Sequence, residues 1–247
     1  DGQGNLWMTP SRHCPKGVTR LDPTTKQLLT YDSADGLALD IVGALTVDRE
    51  GRVWLATQVD PSRWNSARQQ FEQPRTAGRS ARLMIEAIHG GPSGRVWGGP
   101  MAQTICAWTG DQCTVHAMPV PVYMIYQLLE DHGGWLWVVG AIAPQDSKDS
   151  FLCRYEIATG TWERFGEAQG YRGEDVGAIY EDRQGRVWLG TSRGLRRFDG
   201  RRLEDFGVAT SLGEESVCAI LEDRDRRLWI GVVGGGLRCL DPTWETF

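Results

Sequence analysis

Histidines, cysteines and carboxylates are where chemistry could begin in this sequence. Metal or acid–base catalysis needs two or more of them to converge. The four histidines, His13, His89, His116 and His132, do not assemble into a site. The six cysteines, Cys14, Cys106, Cys113, Cys153, Cys218 and Cys239, include no C-x-x-C pair of the zinc or redox kind. Gly234-Gly235-Gly236 lacks the Lys and the following helix that a phosphate loop needs. What recurs is an Asp, at Asp1, Asp48, Asp131, Asp182 and Asp223. It reads either as a calcium ligand or, far more commonly for this residue, as the cap of its own turn.

The element that positions this Asp is clearest from Glu181 to Asp199, EDRQGRVWLGTSRGLRRFD. Asp182 to Gly185 is a tight turn: the carboxylate accepts backbone N–H groups and Gly supplies the positive φ that closes a hairpin. Val187-Trp188-Leu189 follows as a run apolar on both faces, then a loop from Gly190 to Gly194, then a strand from Leu195. The chain repeats this unit. Trp7, Trp54, Trp97, Trp137, Trp188 and Trp229 share their surroundings at spacings of 40 to 51 residues. Gly stands three residues before each Trp except the last, where Arg226 replaces it, and Asp stands six before except at Gly91.

A period near forty residues suits several architectures, and strand content decides among them. The fifth unit shows four short β-like runs, Val187–Gly190, Leu195–Phe198, Arg202–Phe206 and Val217–Glu222, and no stretch with helical periodicity. Four strands per unit make a propeller blade, and neighbouring blades on both sides explain a Trp strand without alternation. The sequence therefore predicts an all-β propeller of six four-stranded blade repeats, with the first lacking its inner strand. One domain over 1–247 is expected: either a segment of a larger propeller or a six-bladed ring whose first blade has three strands.

The pattern D-x-x-G-x-[LV]-W-[LI]-G-T-x-x-G-L-x-R-[FY]-D resembles the two-component regulator propeller repeat. Asp182 to Asp199 fits it almost completely and Asp223 to Asp241 fits well; the earlier copies match through the Trp and then drift. The resemblance implies a sensor propeller outside the inner membrane, where a bound ligand, commonly a carbohydrate fragment, biases a membrane kinase. In propellers the loops joining second to third strands share one face with the approaches to the inner strands. That geometry assigns Arg12, His13, Gln58, Asp60, Gln103 and Arg193 to the second-to-third loops. It assigns Asp40, Arg82, Tyr123, Glu174, Asp175 and Glu215 to the approaches. Mixed charge with one Tyr suits a polar small molecule such as an oligosaccharide, held by planar hydrogen bonds and aromatic stacking. The same residues also read as ordinary solvated loop positions. His89 and His132 fall in first-to-second turns on the opposite face, His116 on an outer strand, and only His13 on the ligand-type face.

Composition narrows the field further. A net charge of −5 gives no footprint for nucleic acid. The longest apolar run, Val120 to Leu129, is interrupted by Pro121 and Gln127 and is too short to span a bilayer. No cofactor or metal is called for, and the unpaired edge of the first blade invites self-association. Cys106 and Cys113 flank Thr109-Gly110; a two-residue turn there would set them opposite each other, as a disulfide or as two half-buried thiols. The functional expectation is a ligand-binding sensor that catalyses no reaction. The alternatives are an enzyme of propeller lyase or hydrolase type and a scaffold that binds proteins by its rim.

Overall fold

The computed structural model describes residues 1–9, 17–57, 59–74, 85–100, 103–142, 150–206 and 213–240. The chain is all-β, with six blade sheets of three or four antiparallel strands, in agreement with the repeat. Its contacts gather into two compact units, Asp1–Glu130 and Asp131–Phe247. Among the described residues, no helix is long and apolar enough to cross a membrane.

In the first unit, β1 (Leu6–Met8), β2 (Val18–Leu21) and β3 (Leu28–Tyr31) form a three-stranded sheet, as expected for a blade without its inner strand. The second sheet is β4 (Val42–Val47), β5 (Val53–Thr57), β6 (Ser62–Asn65) and β7 (Gln70–Glu72). The third is β8 (Ile85–Gly90), β9 (Val96–Pro100), β10 (Thr104–Thr109) and β11 (Gln112–Ala117), and β12 (Met124–Glu130) ends the unit. The second unit opens with β13 (Trp135–Ala141), β14 (Ser150–Glu156) and β15 (Thr161–Arg164). Next come β16 (Val176–Glu181), β17 (Val187–Thr191), β18 (Gly194–Phe198) and β19 (Leu203–Asp205). The last sheet holds β20 (Val217–Glu222), β21 (Leu228–Val232) and β22 (Gly236–Leu240); the outer strand expected at Trp244–Phe247 lies outside the described residues.

Packing follows from strands that are apolar on both sides. Every residue of β5 and of β17 is buried. In the first, second and fifth sheets the Trp side faces the next blade. Trp188 joins Leu195 and Phe206 with Val217, Leu228, Ile230 and Val232 of the sixth sheet, and Trp54 meets Ile85, Val96 and Trp108 of the third. Trp7 packs with Tyr31, Trp64 and Phe71, its ring centroid 5.2 Å from that of Trp64.

Two local devices recur. Inner strands carry a register shift at Val42/Ala44, Ile85/Ala87, Val176/Ala178 and Val217/Ala219, a bulge that increases local twist. Before β4 and β16 the chain makes a short 3₁₀ turn that ends in a left-handed glycine. A Cβ on Gly170 (φ +80) would lie 2.3 Å from the Leu203 carbonyl oxygen, so this position admits no larger residue without displacement. Arg226, where the other turns have Gly, takes the same left-handed conformation at φ 65.

Candidate ligand-binding face

The recurring Asp caps its turn and anchors its Trp. Asp182 Oδ1 accepts the N–H groups of Gln184 and Arg186 at 3.0 and 2.9 Å. Its Oδ2 accepts the Trp188 indole N–H at 2.8 Å and the Arg186 guanidinium at 2.6 Å. The indole bond recurs from Trp7 to Asp1, Trp54 to Asp48 and Trp137 to Asp131, each at 2.7 Å, and from Trp229 to Asp223 at 2.8 Å. These carboxylates are engaged inside the fold. At Asp223 the Trp229 indole, then Arg227 and backbone N–H groups, hold the carboxyl well below the usual range.

Arginine covers several of the Trp rings. Arg154 and Arg197 stand opposite Trp137 and Trp188 in register and reach Glu163 and Glu204 on the outer strands at 2.6 and 3.2 Å. Arg154 also lies 4.0 Å from the Trp135 ring centroid and 4.7 Å from that of Phe198. Arg63 repeats the arrangement over Trp54, bonded to Glu72 and to Asp111. The sequence pattern contains this Arg, but its acidic partner lies on another strand and carries no fixed offset.

Among the described residues the histidines stay apart. The buried Nε2 of His89 has no hydrogen-bond partner among the described residues, and burial lowers its pKa against the opposing pull of Glu130. His116 sits on β11 beside Trp97, centroids 5.6 Å apart. His132 is exposed and pairs through Nδ1 with Glu181 at 2.7 Å. His13 lies outside the described residues, as does Cys14. Cys153, Cys218 and Cys239 carry free thiols. The register sets Cys106 opposite Val115 and Cys113 opposite Trp108, because the turn sits at Gly110-Asp111, one residue later than expected. The two thiols are therefore not opposed. Burial pushes the Cys153 thiol up to about 12, which makes it inert.

At the other edge of the sheets, second-to-third loops and inner-strand approaches do meet within each unit. In the second unit the Asp175 carboxylate accepts from Ser150 Oγ at 2.8 Å, and its carbonyl accepts the Ser192 N–H at 2.8 Å. Ser150 opens β14 and Ser192 follows β17, so Asp175 ties one approach to two loops. Arg193, next along, is exposed, and its N–H donates to Thr191 Oγ1 at 3.1 Å. Among the described residues, no acid pairs with its guanidinium. Glu215 faces Arg238 at 3.5 Å. Glu174 departs from the expected solvated position: it is 5% exposed, lies 3.1 Å from Arg196, and accepts the Arg172 N–H at 2.7 Å. Its backbone carbonyl accepts the Tyr171 hydroxyl at 3.0 Å.

In the first unit the Asp40 carbonyl accepts the Gly17 N–H at 2.7 Å and its carboxylate the Ser33 N–H at 2.7 Å. The Asp60 carbonyl accepts from Thr57 Oγ1 at 2.5 Å, and that of Gln103 from the Met118 N–H at 2.8 Å. Tyr123 is half-buried just before β12. Arg12, Gln58 and Arg82 lie outside the described residues. Ser150, Arg196 and Ser62, whose hydroxyl accepts the Ala38 N–H at 3.0 Å, were not flagged by type. The signal that could have found the serines is position: each opens the third strand of its blade.

A separate cleft of about 500 Å³ opens on the turn edge of the second unit, lined by Trp135, Arg154, Glu181, Arg186, Phe198 and Asp199 among others. It lies at the opposite ends of the strands from Asp175.

Residues 170–193 and 211–234 match the family model described as Two component regulator propeller. No curated protein matches the chain. Among solved structures it is similar to the extracellular domain of BT3049, ascribed to a hybrid two component system of B. thetaiotaomicron. There the identity is 19% and the TM-score 0.71, over 98% of this chain and 33% of that one. The extracellular domain of BT4673, ascribed to a system of the same kind and organism, gives 17% and 0.72 over 98% and 34%. A catalytically inactive virginiamycin B lyase from Staphylococcus aureus, solved with quinupristin, gives 16% and 0.74 over 98% and 79%. Identities this low establish the fold alone, and the chain spans about a third of the length of the two extracellular domains.

Proposed function

We propose that this chain, which carries two-component regulator propeller repeats, is the ligand-binding sensor of a two-component signalling protein, placed outside the cytoplasm. The ligand is a polar small molecule, an oligosaccharide by preference, and no reaction follows binding. The observation that carries this reading is the junction at Asp175, where one inner-strand approach and two second-to-third loops are bonded together beside an exposed Arg193. A carboxylate, two serines and an exposed arginine offer the donors and acceptors that hydroxyl-rich ligands require. The extracellular domains with the same fold support the placement.

The test is thermal unfolding of the purified chain against a panel of oligosaccharides. A ligand that binds only the folded state, present at about a hundred times its dissociation constant, adds roughly 2.7 kcal/mol and raises the melting temperature. A rise with one glycan class, lost in Arg193→Ala, supports the reading. No rise with any member, or one that Arg193→Ala leaves unchanged, contradicts it.

A further inference from the structure

Glu174 and Arg196 form an ion pair that a blade does not itself need. Both are buried, 5% and 8% exposed, with the arginine Nε 3.1 Å from Oε1 and its Nη1 3.4 Å from Asp205. Neither of the atoms facing each other, Nε and Oε1, makes a hydrogen bond among the described residues. The pair thus lacks the geometry by which a buried ion pair offsets its desolvation. Register places Arg196 on β18 opposite Leu189 and Asp205. Ser62, Cys106 and Cys153 hold that position in the second, third and fourth sheets, facing Leu55, Gly98 and Val138. A blade therefore closes without a cation there.

What the pair reaches is the approach to β16. The second oxygen of Glu174 accepts the Arg172 N–H at 2.7 Å, and its backbone carbonyl accepts the Tyr171 hydroxyl at 3.0 Å. The next residue is Asp175, bonded to Ser150 and Ser192. The sixth sheet repeats the device. Glu215 stands two residues before Val217 as Glu174 stands two before Val176, and Arg238 faces Ile230 as Arg196 faces Leu189. Arg238 lies 3.5 Å from Glu215, and the Ser216 carbonyl accepts the Val233 N–H at 2.9 Å, as that of Asp175 accepts Ser192.

We infer that Arg196 is a positioning residue for the loop-edge site: through Glu174 it holds the approach so that Asp175 is in place beside Arg193 before a ligand arrives. The inference rests on the ligand-binding reading of that edge. Arg196 is buried and does not itself touch a ligand; it lowers the ordering cost of binding. Without it the Glu174 carboxylate stays buried with its cation gone. Turning that carboxylate out to water relieves the strain and carries the segment from Arg172 to Asp175 with it.

Amide hydrogen exchange on the ligand-free chain tests this. Arg196→Met should speed exchange of the Arg172 and Ser192 N–H groups by at least about tenfold. The Val233 N–H, which makes the same bond in the sixth sheet, and the amides of β13 should change by less than about threefold. A general loss of stability would move all of these together. Glu174→Gln removes the charge at nearly constant size; it should speed Ser192 exchange in the same way, and it stands in if Arg196→Met fails to fold. Unchanged exchange at Ser192, or equal acceleration at Val233 and β13, overturns the inference. No ligand enters the measurement, so this failure is distinct from failure of the ligand-binding reading, which the oligosaccharide panel decides.

Discussion

The indole N–H of Trp97 donates to the carboxylate of Glu130, a residue 33 positions on and not in its own turn. Gly91 stands where the other repeats have Asp, and a Cβ there would lie 2.1 Å from Glu130 Oε2. The missing carboxylate and the missing side chain are thus one substitution: Gly91 makes room for the acid on β12 that replaces it. Glu130 also accepts the Ser93 N–H at 3.0 Å. Glu130→Ala leaves a buried indole donor unsatisfied and should cost about 1–3 kcal/mol in chemical denaturation. Gly91→Ala should cost a similar amount by overlap, about 1–3 kcal/mol. The double variant should be less destabilised than the sum, by at least about 0.5 kcal/mol, because shortening Glu130 removes the closest contacts.

Asp223 sets an acid limb on stability. Its folded pKa lies below the unfolded value because the Trp229 indole and Arg227 favour the ionised form. Such a group contributes fully above its unfolded pKa, about 3.9, and that contribution fades as pH falls through it towards the folded value. Melting temperatures measured between about pH 5 and 2 should fall less steeply for Asp223→Asn than for the wild type. Parallel curves would show that Asp223 is not part of the acid limb.

Leu195 and Leu237 hold one repeat position in different surroundings, fully buried and 68% exposed respectively. Leu195→Ala should cost about 2–5 kcal/mol by transfer and cavity terms. Leu237→Ala should stay within about 0.5 kcal/mol of wild type. Urea unfolding reads both.

Arg154 combines a cation–π contact over the Trp135 ring with an ion pair to Glu163. Lysine keeps the charge and loses the flat surface, so Arg154→Lys should behave as a damaging change and not a conservative one. A loss of about 1–2 kcal/mol is expected from the cation–π contacts. Stability equal to wild type would mean that charge alone matters there.

The blades were legible because their determinants are local. Asp182, Gly185 and Trp188 lie within seven residues, and a turn cap and a two-sided apolar strand follow from residue type. What escaped depends on partners from elsewhere in the chain. Gly91 read as a lapse in the repeat because Glu130 belongs to the next one. Cys106 and Cys113 were misaligned because either of two adjacent residues could begin the turn, and only packing selects Gly110-Asp111. Glu174 looked like a solvated loop acid because nothing near it in sequence announces Arg196. On the candidate face, Asp175 meets the loop containing Arg193 through the Ser192 N–H, whereas Ser150 was silent as an ordinary polar residue beside an insertion.

The measurement closest to the central claim is calorimetric titration of one binding oligosaccharide into the wild type, Asp175→Ala, Arg193→Ala and Asp199→Asn. Asp175 and Arg193 lie on the loop edge, and Asp199 lines the turn-edge cleft. The account predicts that both loop-edge variants lose at least about tenfold in affinity, close to 1.4 kcal/mol, while Asp199→Asn binds as the wild type does. Unchanged binding by the loop-edge variants, with loss in Asp199→Asn, would contradict it and move the ligand to the other edge of the blades.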